Sequence, residues 1–217
     1  MSPPSRERKR DWVAWHEPYE DPESALSRRL RIVQGLLRDA LDAAPPGPVR
    51  AISICAGRAR DLLEVVAEHP RAPDVSARLV ELDVANAGHA RRSAAACGLT
   101  GIEVVAGDAG LSTVYDGAVP ADVVLACGVF GNVPDADVHQ TIGFLPAMCA
   151  LRATVIWTRH RKPPDLTAAI RTWFIDAGFE EIAFVAPMDA WFGVGAHRLV
   201  GPTQPFARDE RLFTFFR

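Results

Sequence analysis

The sequence predicts an α/β fold: a doubly wound, mainly parallel seven-stranded sheet with an antiparallel C-terminal edge element, plus an N-terminal helical extension. Three observations predict it. Strand-length apolar runs alternate with helical patterns from residue 49 to residue 186, the signature of βα units on a parallel sheet. The run Ala121 to Val129 is almost unbroken in its apolar character, as a central parallel strand covered on both faces requires. The last two strands have no helix between them, so they must join by a reversal. The expected organisation is residues 1–48 as tail, aromatic segment and helix, and 49–217 as the main domain.

The bulk numbers agree. A chain of 217 residues with 48% hydrophobic and 24% charged residues is long enough for one well-cored domain and short for two. The net charge of −3 gives no global attraction to nucleic acid or a membrane surface. Neither a signal-peptide core nor a long apolar span is evident, so a cytoplasmic protein is expected. Cys55, Cys97, Cys127 and Cys149 form no CxxC pair and are expected as free thiols without a metal.

The elements follow in order. Residues 1–10 read as a basic tail. Trp12, Trp15 and Tyr19 come next, as a surface plug or as a lid over a site. Asp21-Pro22-Glu23 opens a helix with Asp21 as the expected cap, and Leu26, Leu30, Val33, Leu37 and Leu41 give it a 3.6-residue stripe. Pro45-Pro46-Gly47-Pro48 is a stiff linker. Strands are expected at 49–54, 78–83, 102–108, 121–129, 153–158 and 181–186, with the last at 212–216. Helices are expected from Leu62, over 85–96, over 134–150 with Pro146 shortening or kinking it, and over 165–177 closed by Gly178. Residues 191–200 read equally as strand or loop.

The chemistry gathers at strand ends. The first strand runs through the small residues Cys55, Ala56 and Gly57 into a helix start, where free N–H groups and positive partial charge attract an anionic or polar ligand. The second strand ends at Asp83 and the third at Asp108. In a doubly wound sheet these ends open into one crevice. A carboxylate there can accept from both hydroxyls of a ribose, and a second from an exocyclic amine.

Over residues 49–186 the sequence resembles the class I S-adenosylmethionine-dependent methyltransferases. Ile52 to Asp61 is similar to the family's first motif, although Ser53 stands where that motif has an acid, and Cys55 and Ala59 where it has glycines. Leu79 to Asp83 resembles the strand ending in the ribose-binding acid, Val104 to Ala109 the segment that holds adenine, and Ala121 to Val133 the fourth strand and its loop. The resemblance implies an S-adenosylmethionine site of Ser53, Cys55, Ala56, Gly57, Asp61, Asp83, Asp108, Ala109, Gly128 and Asn132. It implies methyl transfer to a small molecule by in-line displacement. A non-catalytic cofactor-binding or scaffold protein on the same fold is the alternative, since fold does not fix function.

The acceptor side is expected after the fifth strand, at Trp157 to Lys162. His160 is the candidate base, because imidazole titrates near neutral pH. Arg159 is a candidate acceptor-binding residue, since a guanidinium grips carboxylate or phosphate. Tyr19 is a candidate from the aromatic segment. The loop Gly128 to Pro134 lacks the Asn-Pro-Pro-aromatic pattern of enzymes that methylate nucleic-acid amines, which speaks against a nucleic-acid substrate.

Overall fold

The computed structural model describes residues 21–216. Tyr19, Trp12 and Trp15 lie outside them. The elements are α1 (Ala25–Ala43), β1 (Val49–Ile54), α2 (Arg60–Glu68), β2 (Val75–Glu81), α3 (Val84–Ala96), β3 (Ile102–Ala106), β4 (Ala121–Ala126), α4 (Asp135–Met148), β5 (Cys149–His160), α5 (Thr167–Asp176), β6 (Phe179–Val185) and β7 (Phe192–Leu199). Short 3-10 turns interrupt the loops at Ala72–Asp74 and Ser112–Tyr115.

The strand order is β3-β2-β1-β4-β5-β7-β6. The first five are parallel, and β7 runs antiparallel between β5 and β6. The order reverses between β1 and β4, so the topological switch point lies at their carboxyl ends.

Two apolar layers hold the sheet. On one face, Val33, Leu37 and Leu41 of α1 and Leu62, Val65 and Val66 of α2 pack on Ala51, Leu79 and Leu125. On the other, Ile142 and Leu145 of α4 and Ile170 and Phe174 of α5 pack on Ile52, Val124, Val155 and Trp157. The apolar character of both faces of β1 and β4 is what the sequence showed as near-continuous runs.

Three expectations are corrected. The cap of α1 is Ser24, whose hydroxyl accepts from Ser27 N at 3.1 Å, while Asp21 instead closes a local turn with Glu23 N. The last strand is Phe192–Leu199 and not 212–216. The fourth helix ends at Met148 and not at residue 150, with Pro146 inside it two residues before the end as a shortening residue.

The segment 210–216 follows a different path from a strand. It is a strap pinned at intervals. Glu210 and Leu212 pair with Ser112 and Gly110, Thr141 Oγ1 donates to Leu212 O, Asp137 accepts from Thr214 N, and Asn132 O accepts from Phe216 N. The strap's own Leu212 and Phe213 are buried. The strap therefore crosses from the loop after β3 to the loop after β4.

The aligned β5 and β7 register explains a glycine. Gly195 faces Trp157, and a Cβ there would stand 2.4 Å from the indole. Trp157 is fully buried and packs on Phe130, Phe174 and Phe184. Its indole N–H donates to His197 Nδ1 at 3.1 Å.

Candidate functional site

The turn after β1 is built from left-handed residues. Cys55, Gly57 and Ala59 all have φ between 55° and 57°. Only Gly57 adopts this without a Cβ penalty; Cys55 and Ala59 bear strain of order 1 kcal/mol each, which the surrounding bonds must over-determine. Those bonds are present. Ala56 N donates to Val80 O at 2.8 Å, and Ala59 N to Ala56 O at 2.7 Å.

Glu81 is the organising side chain; the sequence offers it as the alternative to Asp83 for the ribose contact, not as the tie between two turns. It is buried at the last position of β2. One carboxylate oxygen accepts from Gly57 N at 2.7 Å, the other from Asp83 N at 2.8 Å. A single acid thus ties the β1–α2 turn to the β2–α3 turn. Burial raises its pKa, while the two backbone donors work against that rise. The available signal was the alternation of β2, which turns position 81 inward at the strand end.

Asp83 lies just beyond. It caps α3, accepting from Asn86 N at 2.9 Å through Oδ1. Among the described residues Oδ2 has no hydrogen-bond partner, so the half-buried carboxylate keeps one acceptor for a ligand. Leu82 and Val84 on either side are exposed apolar residues.

Asp108 is more committed. Oδ1 accepts from Gly110 N at 2.9 Å, and Oδ2 pairs with Arg211 of the strap at 2.6 Å. Ala109 is buried, and its carbonyl accepts from the buried Tyr115 hydroxyl at 2.7 Å.

Ser53 is buried in β1, paired in register with Leu79 and Leu125. Asp61 in the first turn of α2 is pushed up to about 6, chiefly by burial, with Arg29 opposing the rise. Burial also raises the thiols of Cys55 and Cys127, each next to acids, so neither is a nucleophile near neutral pH.

After β4 the chain makes a tight crest. Gly128 has φ +79°, and a Cβ there would meet open space. Its N–H donates to Thr158 Oγ1 at 2.8 Å, and its carbonyl accepts from Asn132 Nδ2 at 2.7 Å. Asn132 therefore shapes the crest with its side chain.

The fifth-strand residues separate. The His160 ring lies against Gly131, where a Cβ would stand 3.2 Å from Cδ2. Its Nδ1 is buried with no partner among the described residues. Burial, then the charges of Arg159 and Lys162, lower its pKa, so the ring is neutral at pH 7. Arg159 is buried and turned into the protein: its guanidinium donates to Phe130 O and pairs with Asp135 at 3.2 Å. It clamps the crest to the start of α4 and offers no open rim. Arg161 is held by Asp165 at 3.0 Å.

The structure thus brings Cys55, Gly57, Glu81, Asp83 and Asp108 to one end of the sheet, with Gly128, Asn132 and His160 at the adjoining crest. No group of three or more metal-ligating side chains occurs among the described residues, and no described helix is long and apolar enough to cross a membrane.

Comparison with known proteins establishes the fold. No family model matches the sequence, and no curated protein sequence matches it either. Solved structures do. A magnesium protoporphyrin IX methyltransferase from Synechocystis, determined with bound SAM, superposes with a TM-score of 0.65 at 12% identity over 86% of this chain and 90% of that one. The same enzyme with bound SAH gives 0.66. An O-methyltransferase family protein from Burkholderia thailandensis gives 0.59 at 15% identity, over 84% of this chain and 63% of that one. A [4+2]-cyclase, SpnF, gives 0.62 at 10% identity over 85% of each chain. The chain has the Rossmann-like fold of S-adenosylmethionine-dependent methyltransferases.

Proposed function

We propose that the crevice binds S-adenosylmethionine and that the protein transfers its methyl group to a small molecule. The observation that carries this is the Glu81 tie. It locks a strained small-residue turn and the Asp83 turn into one rigid cradle at the switch point, with Asp83 Oδ2 left to accept. Such a cradle suits a ligand with a vicinal diol next to a backbone-lined pocket. A neighbour of this fold determined with bound SAM and again with bound SAH supports the identity of that ligand.

In this reading Ser53, Cys55, Ala56, Gly57 and Asp61 line the amino-acid end, Asp83 holds the ribose, Asp108 and Ala109 border the base, and Gly128 and Asn132 border the sulfur end. The cofactor supplies an electrophilic methyl on a sulfonium. The chain aligns the acceptor in line with it and excludes water. His160, neutral and beside the crest, takes the acceptor's proton on an imidazole nitrogen. Arg159 acts by fixing the crest; Tyr19 belongs to the acceptor side in the same proposal. Nucleic acid is not the expected substrate. The free cysteines suit a reducing, cytoplasmic setting.

Calorimetry with S-adenosylmethionine and S-adenosylhomocysteine tests the binding step. Asp83→Ala is expected to weaken affinity by about 1.5–3 kcal/mol, the worth of hydrogen bonds to a charged acceptor. Lack of binding by the parent protein would refute the proposal, and an unchanged affinity in the variant would remove Asp83 from the site.

A second reading has its own observation. Ser53 replaces the acid of the first motif, and both oxygens of Asp108 are already engaged. A protein that binds the cofactor without methyl transfer would tolerate both. Radiolabelled methyl transfer to an acceptor library separates the two: binding without any transfer favours the second.

A further inference from the structure

The exposed apolar side chains are not spread evenly over the molecule. Ten large ones are exposed among the described residues, and six of them ring the carboxyl end of the sheet around the crevice mouth. Leu82 and Val84 flank Asp83 in the β2–α3 turn, and Phe216, its N–H held by Asn132 O, ends the strap. Val185 ends β6, and Met188 and Trp191 lie in the loop from β6 to β7. That loop belongs to the same end, because Phe192 pairs with His160 and Arg161 N donates to Trp191 O at 2.9 Å. Single exposed apolar residues are ordinary, whereas a group of them around one opening marks an interaction surface.

The chain itself supplies a segment that can cover it. α1 begins at this mouth: Arg28 in its first turn forks onto Asp189, between Met188 and Trp191 in the loop, with both N–O distances 2.9 Å. Arg31 Nη1 donates to Pro22 O at 2.7 Å and Ser24 N to Asp21 O at 3.1 Å, so the chain enters α1 through a turn held against the helix. Residues 11–20 therefore start beside the β6–β7 loop. The four strand spacings from β7 to β2 amount to about 19 Å. Ten residues span up to about 33 Å, so this stretch reaches across the mouth with slack. Its composition suits the rim. Trp12, Trp15 and Tyr19 offer large rings, and Asp11, Glu17 and Glu20 stand without a Lys or Arg in the stretch. Lys162 is exposed two residues beyond His160 and makes no ion pair among the described residues.

We propose that residues 11–20 dock across the crevice mouth, with Trp12, Trp15 and Tyr19 on the apolar rim and the three acids toward Lys162, so that the chain's own start forms the outer wall of the site. A stretch tethered at the rim is present there at an effective concentration of order millimolar, which a second copy in dilute solution does not match. The rings bring apolar area at a low cost in side-chain entropy, and the acids meet the one cation at the mouth that has no acid of its own. Docking of this kind needs no ligand and is independent of what the crevice binds.

The test uses the full chain without ligand, with amide hydrogen exchange read over residues 12–20. Exchange there is expected to be about 10-fold or more slower than in an unstructured chain of the same sequence. Met188→Asp and, separately, Trp191→Ser should each speed it about fivefold or more, with circular dichroism unchanged, since both side chains are exposed and neither change empties the core. Lys162→Glu should speed it about threefold at low salt and leave it unchanged at high salt. Leu151→Asp, an equally exposed position at the start of β5 and so at the opposite end of the sheet, should change nothing. Exchange at unstructured rates in the parent protein would overturn the proposal. So would protection that survives all three variants at the mouth, or protection lost equally in Leu151→Asp. Protection that fades on dilution, in step with a dimer seen by sedimentation, would overturn it in favour of a second copy on the same rim.

Discussion

A buried histidine and a part-buried carboxylate should make stability respond to acid in opposite directions. His197 is fully buried, stacks on Phe174 with ring centroids 4.4 Å apart, and accepts the Trp157 indole N–H. Burial drops its pKa from 6.5 to about 4; Glu181, 3.6 Å from Nε2, opposes the drop, and Arg171 adds to it. A histidine lowered in the folded state binds fewer protons there than when unfolded. Its contribution is therefore complete above pH 6.5 and is lost as pH falls toward 4. The loss amounts to about 3 kcal/mol, with a slope of about 1.2 kcal/mol per pH unit near pH 5.2. Asp61 has the reverse sign. Its carboxyl is raised from 3.8 to about 6, so it binds more protons folded than unfolded. Its contribution is complete below pH 3.8 and is lost as pH rises through 6, again by about 3 kcal/mol. The two slopes nearly cancel between pH 4 and 6 in the parent protein. Urea unfolding at half-unit steps from pH 4 to 8 separates them. Relative to the parent, Asp61→Asn should gain stability steadily from pH 4 to 6 and hold the gain above. Relative to the parent, His197→Gln carries a constant packing loss plus a difference that grows from pH 4 to 6.5. All other titrating groups are common to each pair and drop out. A flat difference for His197→Gln would refute the reasoning, because it would mean that the ion pair with Glu181 offsets burial and leaves the folded imidazolium as stable as the unfolded one.

Further outcomes are expected. Gly195→Ala should destabilise by about 1–3 kcal/mol, because its methyl would overlap the Trp157 indole at 2.4 Å; thermal melting reads this directly. Arg71→Ala should lower stability by about 2–3 kcal/mol, since this guanidinium donates to the carbonyls of Leu41, Ala44, Pro45 and Gly47 and so anchors the end of α1 and the linker after it. Arg211→Ala frees Asp108 Oδ2 while the strap stays anchored by Leu212 and Phe213; S-adenosylhomocysteine should then bind about fivefold tighter by calorimetry, and unchanged affinity would place the base away from Asp108.

The sheet was legible where a strand carries its own pattern and obscure where its residues answer to a distant partner. β1 and β4 are buried on both faces, so short, mostly apolar runs revealed them. β7 carries Gly193, Gly195 and His197, which break any apolar alternation. Those residues fit only once Phe184 lies against Gly193 and Trp157 against Gly195 and His197. The run Leu212 to Phe216 shows the converse. Its aromatic composition reads as strand, yet its backbone partners are the loops at Gly110 and Asn132 and the side chains of Asp137 and Thr141, none of them a strand edge. The same distinction divides the crevice. Gly57, Asp83 and Asp108 were found because each closes a local strand-to-turn pattern. Glu81 acts across two turns, and Arg211 reaches Asp108 from more than a hundred positions away. Arg159 follows the same rule: its place at a strand end suggested an exposed rim, and its direction was set by Phe130 O and Asp135 on the neighbouring crest. Local pattern therefore locates a site of this kind, whereas the bonds that hold it rigid come from residues whose role exists only in the folded chain.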